Sequence, residues 1–221
     1  MGITKKIKIF SENISIDFLK PIPAIKEIPS WYKGIPSVRN QDLTIKKCVP
    51  VLDSFGAGYL FRTSADVYYD SETQRFVDNG VDMQISSHAD SQVEGFGVND
   101  LFQPHPYKWV NRFFWQTPKG YSTLFTHPLN REDLPFHSIS AVVDTDDFPL
   151  SVQFPFFIKK DFTGLIPAGT PIIQAIPFKR DNWELESPDQ KESYEYKEFW
   201  RWFEPPMAKY KKNFWKRKSY R

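Results

Sequence analysis

Short runs in which apolar and polar residues alternate with a two-residue period recur along most of this chain, and a helical period is sustained only near the C-terminus. Residues 4–18 alternate weakly (KKIKIF, ISIDFL) and predict an edge strand or two. Pro21, Pro23, Pro29 and Pro36 then forbid a long helix. Residues 19–38 are therefore expected to form an extended, Pro-rich arm with one short helical turn, wrapped on the body through Ile25, Ile28, Trp31 and Tyr32. The run from Thr44 to Leu52 reads as β, with Cys48 on a strand entering the core. A bend at Gly56 and Gly58 leads into a further strand.

Asn79-Gly80 lies between two alternating runs in RFVDNGVDMQIS, where both turn positions must tolerate positive φ, and predicts a type I′ hairpin. Residues 86–108 have no period and contain Gly95, Gly97, Pro104 and Pro106. So long a loop inside a compact domain is commonly functional. Strands are expected at KWVNRFFWQT, YSTLFTHPL, HSISAVVD, LSVQFPFFI and GTPIIQAIPF. The expected fold is mainly β with some α: an antiparallel sandwich or barrel, jelly-roll or β-clip-like, in a single domain 1–221 with its β core at 39–180. Ser187, Pro188 and Gln190 form a capping-box pattern that opens an amphipathic helix over 187–204, with Tyr196, Phe199, Trp200 and Phe203 on one face. Pro205-Pro206 ends it, and Met207, Tyr210 and Phe214 suggest a second, shorter helix.

Charge changes this picture at one place. Residues 205–221 form a basic aromatic tail, in which Lys209, Lys211, Lys212, Lys216, Arg217, Lys218 and Arg221 are interleaved with Tyr210, Phe214, Trp215 and Tyr220. From residue 209 onward there is no acidic residue. The remaining 22 basic residues face 27 acidic ones, a body of −5 beneath a net charge of +2. Cations release counterions from phosphates and rings stack on bases, so nucleic acid or another polyanion is a candidate partner of Lys209, Lys211, Lys212, Trp215, Lys216, Arg217, Lys218 and Arg221. The alternative is a helix whose rings pack on the domain while its lysines stay solvated.

Cys48 is the only cysteine, which excludes a disulfide framework and a thiolate zinc site. His88 and Asp90 form an H-x-D pair of the kind that presents imidazole and carboxylate to one divalent metal, with His127 or His137 as third ligand. Asp144, Asp146 and Asp147 open like a calcium loop but lack its Gly and closing Glu; Asx turns at a strand end explain them as well. No G-x-S-x-G, phosphate loop, G-x-G-x-x-G or H-E-x-x-H is present. The N-terminus has no signal-peptide apolar region, Lys6 stands where a myristoylation signal needs Ser or Thr, and no apolar run reaches membrane-spanning length.

The segments IPSWYKG (28–34), TIKKCVPVLDSFGAGY (44–59), TPKGYSTLFTHPLNR (117–131), VVDTDDF (142–148) and GLIPAGTPIIQAIPFKRDNW (164–183) resemble an uncharacterised protein family of tailed bacteriophages, marine phages especially. The resemblance implies a phage origin, with the cytoplasm of the infected cell or the phage particle as location, and carries no activity with it. Residues 141–178 are also similar to the closing strands of the dUTPase and dCTP-deaminase group. That likeness implies Asp144 as a nucleotide ligand, while HPLNR, with Arg131, replaces the Ser-rich phosphate motif. Two functions are therefore expected. One is a non-enzymatic binding or structural role, as a virion component or host-interacting factor, with a protein partner or a second copy. The other is a small β-barrel enzyme or small-molecule or nucleotide binder, with a divalent metal as the implied cofactor.

Overall fold

The computed structural model describes residues 4–11, 19–78, 84–201 and 206–221, the side chains of 78, 199–201 and 206–209 excepted. In chain order the strands are β1 (Lys8–Ser11), β2 (Ile22–Pro23), β3 (Val38–Arg39), β4 (Asp42–Leu43), β5 (Tyr59–Arg62), β6 (Val67–Asp70), β7 (Arg75–Asp78) and β8 (Ile85–Ser87). They continue with β9 (Tyr107–Trp109), β10 (Phe113–Gln116), β11 (Tyr121–Thr126), β12 (Phe136–Ser138), β13 (Ala141–Val143), β14 (Phe154–Ile158), β15 (Gly164–Ile166) and β16 (Pro171–Lys179). Among the described residues four α-helices accompany them: α1 (Ser30–Gly34), α2 (Val49–Gly56), α3 (Gln190–Arg201) and α4 (Pro206–Asn213).

All pairings are antiparallel, and the described sheets are open rather than closed into a barrel. A five-stranded sheet runs β13-β11-β16-β5-β2 and a four-stranded sheet runs β12-β14-β9-β8. Their inner faces meet through large rings. Phe154 of β14 lies 5.2 Å from Phe61 of β5 and 5.4 Å from Phe125 of β11, while Trp109 stacks on Phe156 at 4.2 Å. Rings of this size fill a sandwich core with few residues. A third sheet, β15-β6-β7, covers one flank through Val67, Tyr69 and Ile166.

Two runs that read as single strands are each divided between sheets. In KWVNRFFWQT the chain leaves β9 and enters β10 through Asn111, whose buried amide donates to the Phe113 and Val152 carbonyls, both at 3.0 Å, and accepts from the Phe113 N–H. The side chain thus replaces ladder partners that the corner removes. In HSISAVVD, β12 and β13 likewise belong to different sheets.

The β reading of Thr44–Leu52 does not hold. A 3-10 turn at Ile45–Lys47 leads into α2, with Cys48 as N-cap and Pro50 in the first turn, where its missing N–H costs nothing. The apolar side chains serve a helix because α2 packs Phe55 against Tyr32 of α1, ring centres 4.7 Å apart. Cys48 is accordingly half-buried at a helix start instead of on a core strand. Asn79-Gly80 lies outside the described residues; β7 pairs back onto β6, and β8 pairs with β9. α3 is present, but its N-cap is Asp189, whose carboxylate accepts from the Glu192 N–H at 2.9 Å, two residues past Ser187. Phe203 and Pro205 lie outside the described residues, as do the side chains of Phe199, Trp200 and Met207.

Gln174 sits mid-strand in β16 and is 1% exposed. Its amide nitrogen donates to the Ser54 and Ala57 carbonyls at the end of α2, at 2.9 and 2.6 Å, and its oxygen accepts from the Leu129 N–H at 2.8 Å. The chain reaches β5 from α2 through Gly58, at φ +68°, where a Cβ would meet the Ala175 carbonyl oxygen at 2.0 Å. Only glycine permits that approach. Gln174→Leu keeps the volume but leaves the Ala57 carbonyl and the Leu129 N–H without their partner, and the Ser54 carbonyl with only the 3.5 Å bond from the Ala57 N–H. It should lower unfolding stability by about 3 kcal/mol or more, measured by urea titration at unchanged m-value.

Candidate functional site

The expected metal ligands do not converge, and no group of three His, Cys, Asp or Glu able to hold a metal occurs among the described residues. His127 is enclosed between sheets, stacked on His137 with ring centres 4.6 Å apart. Its Nδ1 accepts the Ser138 N–H at 3.3 Å, which leaves Nε2–H to donate to the Arg131 carbonyl at 3.1 Å. Both nitrogens are thereby used in closing the loop after β11, and neither is left to bind a metal. Burial pushes the imidazole down to about 4. Asp90 bonds His105, not His88: His105 Nδ1 lies 2.7 Å from Asp90 Oδ1. His105 was missed because no spacing motif links it to Asp90; the β8–β9 pairing brings them together.

Asp144 stands beside Ser122 near the start of β11 and Arg131 follows the strand's other end, so the two do not share a site. Arg131 forms a two-pronged bond to Asp133, at 2.8 and 2.9 Å. Asp144 accepts from the Ser122 hydroxyl at 2.6 Å and from Arg180 at 3.3 Å. Arg180 also grips Asp146, which accepts the Gly120 N–H at 2.8 Å. That grip holds the Asp146 carboxyl well below the usual carboxylate range. The aspartate cluster is therefore a clamp tying the 117–120 turn, the end of β13 and the end of β16. The Asp147 and Phe148 N–H groups bond the Asp144 main-chain carbonyl, at 3.1 and 3.0 Å, so the segment closes as a backbone turn while the carboxylates reach outward to Ser122, Gly120 and Arg180 rather than forming the expected Asx turns.

The tail is docked. Trp215 Nε1 donates to Asp53 of α2 at 2.9 Å, and Lys218 pairs with the same carboxylate. Tyr220 packs edge-on against Tyr59 with centres 5.9 Å apart, and the Tyr59 hydroxyl donates to the Arg221 carbonyl at 3.2 Å. Lys211, Lys212, Lys216 and Arg217 remain exposed, without an ion-pair partner among the described residues; the Lys209 side chain lies outside them. Docking creates an open groove of about 580 Å³ between the tail and the N-terminal segment. Tyr59, Tyr121 and Tyr220 line it, and Lys5, Arg217 and Arg221 stand around them. Lys5 Nζ lies 5.9 Å from the centre of the Tyr121 ring. The groove combines π-faces with fixed cations, which suits an anion that also carries aromatic rings.

No protein-family model matches the chain, and no curated protein matches it either. Among the described residues no helix is long and apolar enough to cross a membrane.

The buried His127 sets a pH dependence. Its folded value near 4 lies below an unfolded value near 6.5, so the unfolded chain binds the extra proton first as pH falls. Stability is full above about pH 6.5 and is lost on the way down to about pH 4, by at most about 3 kcal/mol. Urea midpoints across that window should fall in the wild type and change less in His127→Gln.

Proposed function

We propose that this is a phage-associated protein with a binding role, and that it holds single-stranded nucleic acid along the groove built by its docked C-terminal tail. The likeness of five segments to the phage family supports the phage setting. The carrying observation for binding is that the tail is pinned at Trp215, Lys218 and Tyr220, while Lys211, Lys212, Lys216 and Arg217 stay exposed. A tail fixed in this way presents its charge without the entropic cost of ordering a free chain on binding. The flanking tyrosines offer stacking surfaces with no preference for one base.

A quadruple variant replacing Lys211, Lys212, Lys216 and Arg217 by Ala tests this, because none of the four is used in docking. Fluorescence anisotropy with a labelled single-stranded oligonucleotide should show affinity reduced at least tenfold. The slope of log K against log salt should fall by about 3, near 0.7 per lost phosphate contact. Unchanged affinity and slope in a folded variant would sink the reading. Mass spectrometry of purified particles separately checks whether the protein is a virion component.

A further inference from the structure

We infer that Ser87, His105 and Asp90 form a nucleophilic hydrolytic site for carboxylic esters at the free edge of the four-stranded sheet. This does not rest on the nucleic-acid reading. Ser87 ends β8, the edge strand, and pairs in register with Tyr107 of β9. The His88 N–H donates to the Pro106 carbonyl at 3.1 Å and extends that pairing by one step. The register therefore sets His105, just ahead of β9, beside the serine, and the turn beginning at Asp90 brings a carboxylate to the far side of the same imidazole.

The relay is continuous. Ser87 Oγ lies 2.9 Å from His105 Nε2, and His105 Nδ1 lies 2.7 Å from Asp90 Oδ1. A carboxylate only accepts, so Nδ1 carries the proton. In the neutral ring Nε2 is then the acceptor of the Ser87 hydroxyl proton. The Tyr107 ring stands edge-on to the imidazole, centres 4.8 Å apart at 85°, and holds its plane. These are the positions that nucleophile, general base and orienting carboxylate need. The His105 side chain is 33% and the Asp90 side chain 76% exposed, so a substrate reaches the relay from solvent. An open groove of about 550 Å³ starts at Asp90 and His105 and continues past Val93, Phe96, Val98 and Pro104. Ser91 and Glu94 also line it and Ser87 stands outside the lining, on the Nε2 side of the imidazole, so an ester that reaches Ser87 can lay a hydrocarbon acyl part along Val93, Phe96 and Val98.

In the reaction, Ser87 Oγ attacks the ester carbonyl carbon while its proton passes to His105 Nε2. The bond to the alcohol oxygen breaks, and the same proton leaves with the alcohol. Water then attacks the acyl-Ser87 carbonyl and gives one proton to His105 Nε2; the bond to Ser87 Oγ breaks, and His105 returns that proton to Ser87 Oγ as the acid departs. Asp90 is the positioning residue.

The test is intact-mass and peptide analysis after treatment with a fluorophosphonate, together with hydrolysis of p-nitrophenyl butyrate. An adduct at Ser87 that is lost in Ser87→Ala and in His105→Ala is expected, with ester hydrolysis down at least 100-fold in both. Asp90→Asn should lower kcat at unchanged KM. No adduct at Ser87 in the wild-type protein, or labelling that is undiminished in a folded His105→Ala variant, overturns the assignment.

Discussion

A single buried amide ties together the parts on which the surface features depend. Gln174 occupies the middle of the five-stranded sheet and satisfies backbone groups on two other segments at once. The end of α2 would otherwise present its last carbonyls to the core, and an unpaired buried carbonyl costs more than the bond itself contributes. With α2 seated, Ser54 accepts from Asn130, which holds a left-handed backbone at φ 58° in the loop after β11. Asp53, on the same helix, receives Trp215 and Lys218 of the tail. The basic groove is thus two steps removed from a core hydrogen bond.

The polar side chains that look most chemical are consumed by the fold. His127 closes a loop, Arg131 and Asp133 pair with each other, and Arg180 binds the aspartate turn. Trp115 Nε1 donates to Thr123, and Thr123, Thr145 and Thr117 continue as a chain of hydroxyls at 2.8 Å. Such networks are stabilising only when every member is satisfied. The polar groups on which the two proposals rest lie at two margins, the docked tail and the edge of the four-stranded sheet. Both are held by tertiary contacts yet open to solvent.

Several elements were legible from residue order alone, because their causes are local. β11, β14 and β16 carry apolar residues that serve the core, and α4 is the second, shorter helix that Met207, Tyr210 and Phe214 suggest. The basic run is a matter of composition. Other expectations failed where a local preference met a distant partner. VPVLDSF has β-branched residues, but a helix lets Phe55 reach Tyr32 and lets Gln174 cap its end. The single reading of residues 108–117 missed a corner because Asn111 bonds a carbonyl 41 residues away.

The chain by itself therefore determined a β-rich architecture and a cationic, aromatic C-terminus over an acidic body. Periodicity and net charge need no knowledge of neighbours. Only the tertiary structure decided which strands share a sheet, that Asp90 faces His105 and Ser87 instead of His88, and that the tail is docked through Asp53. Each of these depends on strand register or helix placement, which bring together residues with no relation in spacing. The basic segment is a solvated charge run in sequence; in the fold, two bonds to one aspartate and one tyrosine contact turn it into a wall of a groove.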